Sequence, residues 1–264
     1  MALLIREQVN GTLYEMAYYS YSYLPKQTAK SRARRQKLTT EAKQKINAMQ
    51  SKLTLMRYIA LNFRHRKDRK AEFTFRDHPD KREGARRRKE FHKRMRQIYA
   101  AQGEEHQYIC VEETHNREGR DCKLHYHMIL RSLPKTNMLR LLNRVWQEVH
   151  PGNGTVEVQY LIETDNFEDI ASYFLKERKE RGARRWTRSR NLRKPAEPVR
   201  HLEKESYLPE VPPGVIVWDT EIKGNDYGKF GYMIGRICNM EAFQTYFQKI
   251  QKRAIRGRRA MHPI

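Results

Sequence analysis

The sequence predicts an α+β fold built around a central antiparallel hairpin. Residues 106–114 and 123–131 each alternate apolar and polar side chains, which is the period of a strand. The turn-prone run Asn116, Arg117, Glu118 and Gly119 stands between them. Apolar residues recur at helical spacing on both sides of the hairpin: Phe91, Met95, Ile98 and Tyr99 before it, Met138, Leu141, Leu142, Val145 and Val149 after it.

Taken in chain order, residues 1–24 hold Tyr14, Tyr18, Tyr19, Tyr21 and Tyr23, an aromatic cluster without a clear element. A basic connector over 26–37 leads to a helix capped by Thr39 or Thr40, with Ile46, Met49, Leu53 and Met56 at helical spacing and an end near Asn62 and Phe63. Residues 72–76 alternate as a strand. A basic helix follows from about Lys81, and Gly103 stops it. After the hairpin, Thr136 is the expected cap of a helix that breaks at Pro151 and Gly152. Residues 155–162 read as a strand, 167–181 as a helix and 184–192 as a last strand. The order β-α-β-β-α-β-α-β is a split βαβ, ferredoxin-like arrangement with one added helix and strand.

Beyond that, Pro195, Pro198, Pro209, Pro212 and Pro213 mark a wrapping or linker segment. A strand-like patch at 215–218, a helix near 241–250 and a basic tail over 252–259 complete the chain. The expected organisation is therefore an aromatic and basic extension (1–38), a central domain that includes its N-terminal helix (39–195), and a C-terminal extension (196–264). No internal repeat is visible.

Of the 264 residues, 38% are hydrophobic and 32% charged, which predicts a modest core under a very polar surface. Lys and Arg number 54 against 31 Asp and Glu, a net charge of +23. Such a balance speaks of partners rather than fold, and nucleic acid is the first expectation. An anionic membrane surface is the rival, but the chain has no long apolar run and no lipidation signal. The segment from Met1 to Arg6 is too short for a signal peptide's apolar region. Three cysteines, Cys110, Cys122 and Cys238, make no disulfide framework, so a reducing cytosol is expected.

The sharpest chemical feature is His125 and His127. On a strand they share one face, while Leu124, Tyr126, Met128 and Leu130 point to the other. Two same-face imidazoles can hold one divalent cation. Cys122, three residues before His125, also invites zinc, but a closed structural site needs four ligands and no second Cys/His cluster is evident. In residues 167–181, Phe167, Ile170, Ala171 and Phe174 form the inward stripe. Tyr173 and Lys176 lie off that stripe and are neighbours at three residues' spacing. Arg86, Arg87 and Arg88 on the basic helix, and Arg184 and Arg185 in an Arg-rich stretch, are candidate contacts to nucleic-acid phosphates. Trp186 and Tyr126 could stack on bases, with burial in the core as the competing role.

These pieces, in this order, resemble the rolling-circle replication initiators (Rep) of the HUH endonucleases, especially those of small single-stranded DNA phages. The resemblance rests on the strand Phe73, Thr74, Phe75, the strand from Ile109 to His115, the His125/His127 pair, and Tyr173 with Phe174, Leu175 and Lys176. It covers about residues 40–195, including the helix ending at Asn62 and Phe63 and the closing stretch from Ser189 to Pro195. Tyr126 stands where the family usually carries a bulky apolar residue. The resemblance implies a third, acidic metal ligand. Glu113, in the pattern Glu113, Thr114, His115, is preferred to Glu112, although register cannot be read from sequence. Imidazoles with a carboxylate suit Mg²⁺ or Mn²⁺ with open positions for phosphate oxygens.

The same resemblance makes Tyr173 the nucleophile, forming a 5′-phosphotyrosine, and gives Lys176 the task of offsetting nearby charge. A phenol of ordinary pKa near 10 needs such help at neutral pH. Position 177 is Glu, as in single-tyrosine members. The implied partner is single-stranded or origin DNA in the cytoplasm of a bacterial host. With no glycine-rich phosphate loop in the chain, strand separation would fall to a host helicase and extension to a host polymerase. Relaxases and single-tyrosine transposases share this chemistry. A non-catalytic, basic nucleic-acid-binding protein is the alternative from another class.

Overall fold

The structure is a computed structural model that describes residues 2–21, 40–115, 121–162, 167–175, 186–204, 209–225 and 228–261. In chain order its elements are β1 (Ala2–Asn10), β2 (Leu13–Tyr21), α1 (Thr40–Asn62), β3 (Arg69–Phe75), α2 (Lys81–Ala100), β4 (Tyr108–His115), β5 (Asp121–Leu130), α3 (Met138–Val149), β6 (Asn153–Tyr160), α4 (Glu168–Phe174), β7 (Thr187–Arg188), β8 (Val199–Lys204), β9 (Val215–Asn225), β10 (Gly228–Ile237) and α5 (Met240–Met261). The fold is α+β with two five-stranded antiparallel sheets. The chain divides into two compact units, residues 48–194 and residues 1–47 with 195–264.

In the unit of residues 48–194 the strand order is β6-β3-β5-β4-β7. Helix α2 joins β3 to β4, and β5 lies between them, antiparallel to both. One sheet face carries Ala71, Phe73, Phe75, Cys110, Leu124, Tyr126, Met128 and Leu130, and it packs against Phe91, Met95 and Tyr99 of α2 and Leu141, Leu142, Val145 and Trp146 of α3. Trp146 is fully buried among Phe73, Phe75 and Phe91, with centroids 5.3–5.7 Å away in edge-on contacts, and its indole N–H donates to the Thr74 carbonyl at 2.8 Å. Asp80 caps α2 by accepting from the Glu83 amide at 2.7 Å. Close approach of α2 to the sheet requires Gly84: a Cβ there would meet Leu124 Cδ2 at 2.4 Å and the Tyr126 hydroxyl at 2.8 Å.

The expected elements of this unit recur with shifted ends. Asn137, not Thr136, caps α3 by accepting from the Arg140 amide, while the Thr136 hydroxyl donates to the Pro134 carbonyl. Helix α4 runs seven residues and gives way to a turn at Leu175. The remainder of the expected helix to 181 and the turn at 116–119 lie outside the described residues, as do the connector at 26–37 and Tyr23. Strand β7 is only two residues long.

The other unit contains strands that its periodicity conceals. Its order is β8-β1-β2-β10-β9. Asn10 pairs with Leu13 across Gly11 and Thr12, and Gly11 takes φ 61°, the left-handed conformation that a tight hairpin turn demands. Leu3, Ile5, Tyr14, Met16, Tyr18, Met233 and Ile237 pack against Phe243 of α5. Several inward positions are polar, which hides the alternation: Glu7, His201 and Asn10 are buried. The Glu7 carboxylate accepts hydrogen bonds from the hydroxyls of Tyr14 at 2.7 Å and Tyr246 at 3.1 Å. Burial raises its pKa, and those two hydrogen bonds pull the other way. Residues 252–261, expected as a solvated tail, continue α5. Among the described residues, no helix is long and apolar enough to cross a membrane.

Candidate active site

The site grows from the face of β5 turned away from α2 and α3. Since Leu124, Tyr126, Met128 and Leu130 enter the core, alternation sends His125 and His127 to the opposite face. Register then supplies the carboxylates. On β4, Glu113 pairs with His125, whereas Glu112 pairs with Tyr126 and turns toward Arg88, 4.0 Å from its guanidinium. On β3, Glu72 pairs with His127.

The resulting distances are short. Oε2 of Glu113 lies 2.7 Å from Nε2 of His127 and 3.4 Å from Nε2 of His125. Glu72 reaches His127 Nδ1 at 3.7 Å and His125 Nε2 at 4.0 Å. Ligand atoms of Glu72, His125 and His127 all fall within 4.8 Å of one another, a group able to hold a metal ion. The His125 Nδ1–H donates to the Lys123 carbonyl at 2.8 Å, which leaves the Nε2 lone pair turned toward the two carboxylates. Two carboxylates converging on two imidazoles concentrate negative charge, and a divalent cation relieves it. The donor set therefore fits Mg²⁺ or Mn²⁺ in its chemistry. Cys122 stands on the other side of the ring, its Sγ 4.0 Å from His125 Nδ1, and is no part of this group.

Burial is graded across the cluster. The side chains of His127 and Glu113 are 1% and 4% exposed, that of His125 17%, and that of Glu72 39%, so the group opens toward Glu72. Helix α4 lies over this face. Tyr173 places its hydroxyl 3.5 Å from His127 Nε2, with the rings 5.0 Å apart and nearly perpendicular, and Phe174 packs beside the same imidazole at 6.0 Å. Phe167, Ile170, Ala171 and Phe174 are buried, while Tyr173 is only half-buried. Lys52 of α1 pairs with Glu168 at 2.5 Å.

Sequence reasoning missed two residues. Glu72 and Lys70 alternate with Ala71 and Phe73, so they share the histidine face of an interior strand, and that alternation was the available signal. The Lys70 ammonium lies 4.4 Å over the Tyr173 ring. Lys176, Arg184 and Arg185 lie outside the described residues.

The three arginines of α2 stand on the far side of the sheet from this cluster, and they differ from one another. Arg86 is exposed and paired with Glu83 at 2.7 Å. Arg87, expected at a DNA phosphate, is instead buried: its guanidinium bridges Asp77 at 2.8 Å and Glu83 at 2.8 Å, so its charge is neutralised inside the protein. Arg88 lies over the Tyr126 ring at 4.8 Å. Tyr126 is fully buried, and Trp186 packs edge-on against Tyr58.

Residues 71–178 match the family model of the ORF2-type replication-associated proteins. The matched segment contains Glu72, Glu113, His125, His127, Tyr173 and Lys176, and the match supports a replication initiator. No curated protein and no solved structure matches the chain.

Proposed function

We propose that this protein is a metal-dependent endonuclease and strand transferase that starts rolling-circle replication by nicking one strand at an origin. The observation that carries the reading is the meeting of Tyr173 with the His125, His127, Glu72 and Glu113 cluster: a nucleophile-bearing side chain 46 residues from His127 in sequence stands 3.5 Å from it in space. The strand order β6-β3-β5-β4, with β5 between the strands that α2 joins, supports the ferredoxin-like arrangement of the HUH endonucleases.

A divalent cation held by Glu72, His125, His127 and Glu113 would polarise the scissile phosphodiester and neutralise charge on its oxygens. The Tyr173 oxygen attacks phosphorus, forming a tyrosyl O–P bond as the bond to the 3′-oxygen breaks. The phenol gives up its proton, and the leaving 3′-oxygen takes one up, so the step is proton-neutral overall. Lys70, above the ring, stabilises the developing phenolate, and Lys176 is assigned the charge on the phosphate. The products are a 5′-phosphotyrosine and a free 3′-OH that primes a host polymerase. Because the phosphotyrosine link retains the energy of the broken bond, the reverse attack by a 3′-OH rejoins the strand without a nucleoside triphosphate.

The test is incubation of the protein with Mn²⁺ and oligonucleotides tiling the replicon that encodes it. One oligonucleotide should yield a covalent adduct whose peptide maps to Tyr173. An adduct on another tyrosine, or full activity in EDTA, would refute the assignment.

A further inference from the structure

The end of the sheet in the same unit carries a second basic feature, away from α2. A cavity of about 580 Å³ is lined by Arg64, Arg66, Lys67, Arg69, Lys135 and Tyr160. It lies between the loop before β3, the loop after β5 and the end of β6. Arg69 pairs with both Leu130 and Tyr160, so the cavity stands three residues along β5 from His127, about 10 Å at ~3.3 Å per residue.

The cavity is built rather than incidental. Asp68 is fully buried and accepts from the Arg64 amide at 2.7 Å and from the Ser132 amide at 2.9 Å, tying the first two loops together. The Lys67 carbonyl accepts from the Ser132 hydroxyl at 2.8 Å and from the Arg69 guanidinium at 2.7 Å. The Arg66 amide donates to the Leu161 carbonyl, and the Leu161 amide to that of Asp68, fastening the first loop to the end of β6. Arg66 and Lys135 hold φ at 54° and 49°, a conformation uncommon outside glycine.

Charge and aromaticity name the ligand. Arg64 is paired with Asp68 at 2.9 Å, but Arg66, Lys67, Arg69 and Lys135 have no carboxylate partner among the described residues. Four unneutralised cations around one concavity favour a polyanion. Tyr160 is 56% exposed, with the Arg69 guanidinium 3.7 Å from its ring centroid. That leaves an aromatic face for a base beside cations for its phosphates, the combination that single-stranded nucleic acid takes.

We infer that this cavity binds single-stranded DNA: Arg66, Lys67 and Lys135 hold backbone phosphates, and Tyr160, backed by Arg69, stacks on a base. The inference rests on the reading of DNA as the substrate and gives that strand a second anchor a short distance from Tyr173.

Binding of fluorescein-labelled oligo(dT), followed by anisotropy in EDTA over a range of salt, tests it apart from chemistry. Arg66→Asn with Lys135→Asn removes two charges with a residue that tolerates positive φ, so the loops should survive. The pair should lower affinity about tenfold or more and flatten the log–log salt slope by roughly 1.4, two contacts at about 0.7 each. Tyr160→Ala should weaken binding about tenfold with the slope unchanged, and Tyr160→Phe should restore it. Folded variants that bind and respond to salt as the native protein does would overturn the inference. If these variants lose binding but the native protein forms no tyrosyl adduct, the cavity stands and the nicking chemistry fails. If adducts form normally and the variants bind as the native protein does, the chemistry stands and the cavity fails.

Discussion

The hydroxyl of Tyr173 stands 3.5 Å from Nε2 of His127, although 46 residues separate them in sequence. Helix α4 is seven residues long, and its buried Phe174 packs on the same imidazole, so packing holds the tyrosine over the cluster. Tyr173→Phe keeps that ring and loses one oxygen. Adduct formation should fall by at least about a thousandfold, with oligonucleotide binding and melting temperature unchanged. Denaturing electrophoresis of labelled oligonucleotide checks it, and a normal adduct yield refutes the role.

His125→Ala with His127→Ala should abolish nicking and lower Mn²⁺ affinity by well over about tenfold in calorimetry. The two carboxylates can be separated by single variants. Glu72 and Glu113 both contact both imidazoles, so Glu72→Gln and Glu113→Gln should each weaken Mn²⁺ binding. Glu112→Gln should not, because Glu112 points to Arg88 on the other face.

Arg86 and Arg87 are adjacent in sequence and opposite in consequence. Arg87→Gln should cost about 1–3 kcal/mol in denaturant unfolding, because the bonds from its buried guanidinium to Asp77 and Glu83 are lost. Arg86→Gln loses only a surface pair with Glu83 and should cost under about 1 kcal/mol. Arg87→Gln should leave the salt slope of DNA binding unchanged, since that guanidinium faces inward.

His92 and His106 form a buried pair, ring nitrogens 3.0 Å apart, with Tyr108 stacked on His92 at 3.6 Å. Burial, with the nearby Arg96 charge, pushes His106 down to about 3, and burial with its His106 neighbour depresses His92 well below the usual range. Between these folded values and the ordinary 6.5, the unfolded chain binds more protons than the folded one, so stability rises with pH. The pair's contribution is complete above about pH 6.5 and declines as pH falls toward 3. The melting temperature should drop by several degrees over that interval, and His92→Phe with His106→Leu should make the drop shallower.

Much of the site-bearing unit was legible in sequence. Helix stripes such as Leu141, Leu142 and Val145 and the alternation across 123–130 are local periodicities, and each recurs in the core. The second unit was not, because its pattern is broken by buried polar groups: Glu7 and His201 occupy inward positions that an alternation search reads as surface. Its hairpin turn at Asn10 and Gly11 was a usable signal that the tyrosine cluster overshadowed.

By itself the sequence determined that His125 and His127 share a face, that Tyr173 lies off its helix's apolar stripe, and that the protein is strongly basic, since each follows from contiguous residues or composition. Tertiary structure alone decided that Glu113 rather than Glu112 faces the histidines, that Glu72 joins them, and that Arg87 is spent inside the protein. Strand register and burial are properties of pairs distant in the chain. A one-residue slip of β4 against β5 would have exchanged the two glutamates while leaving every local pattern intact.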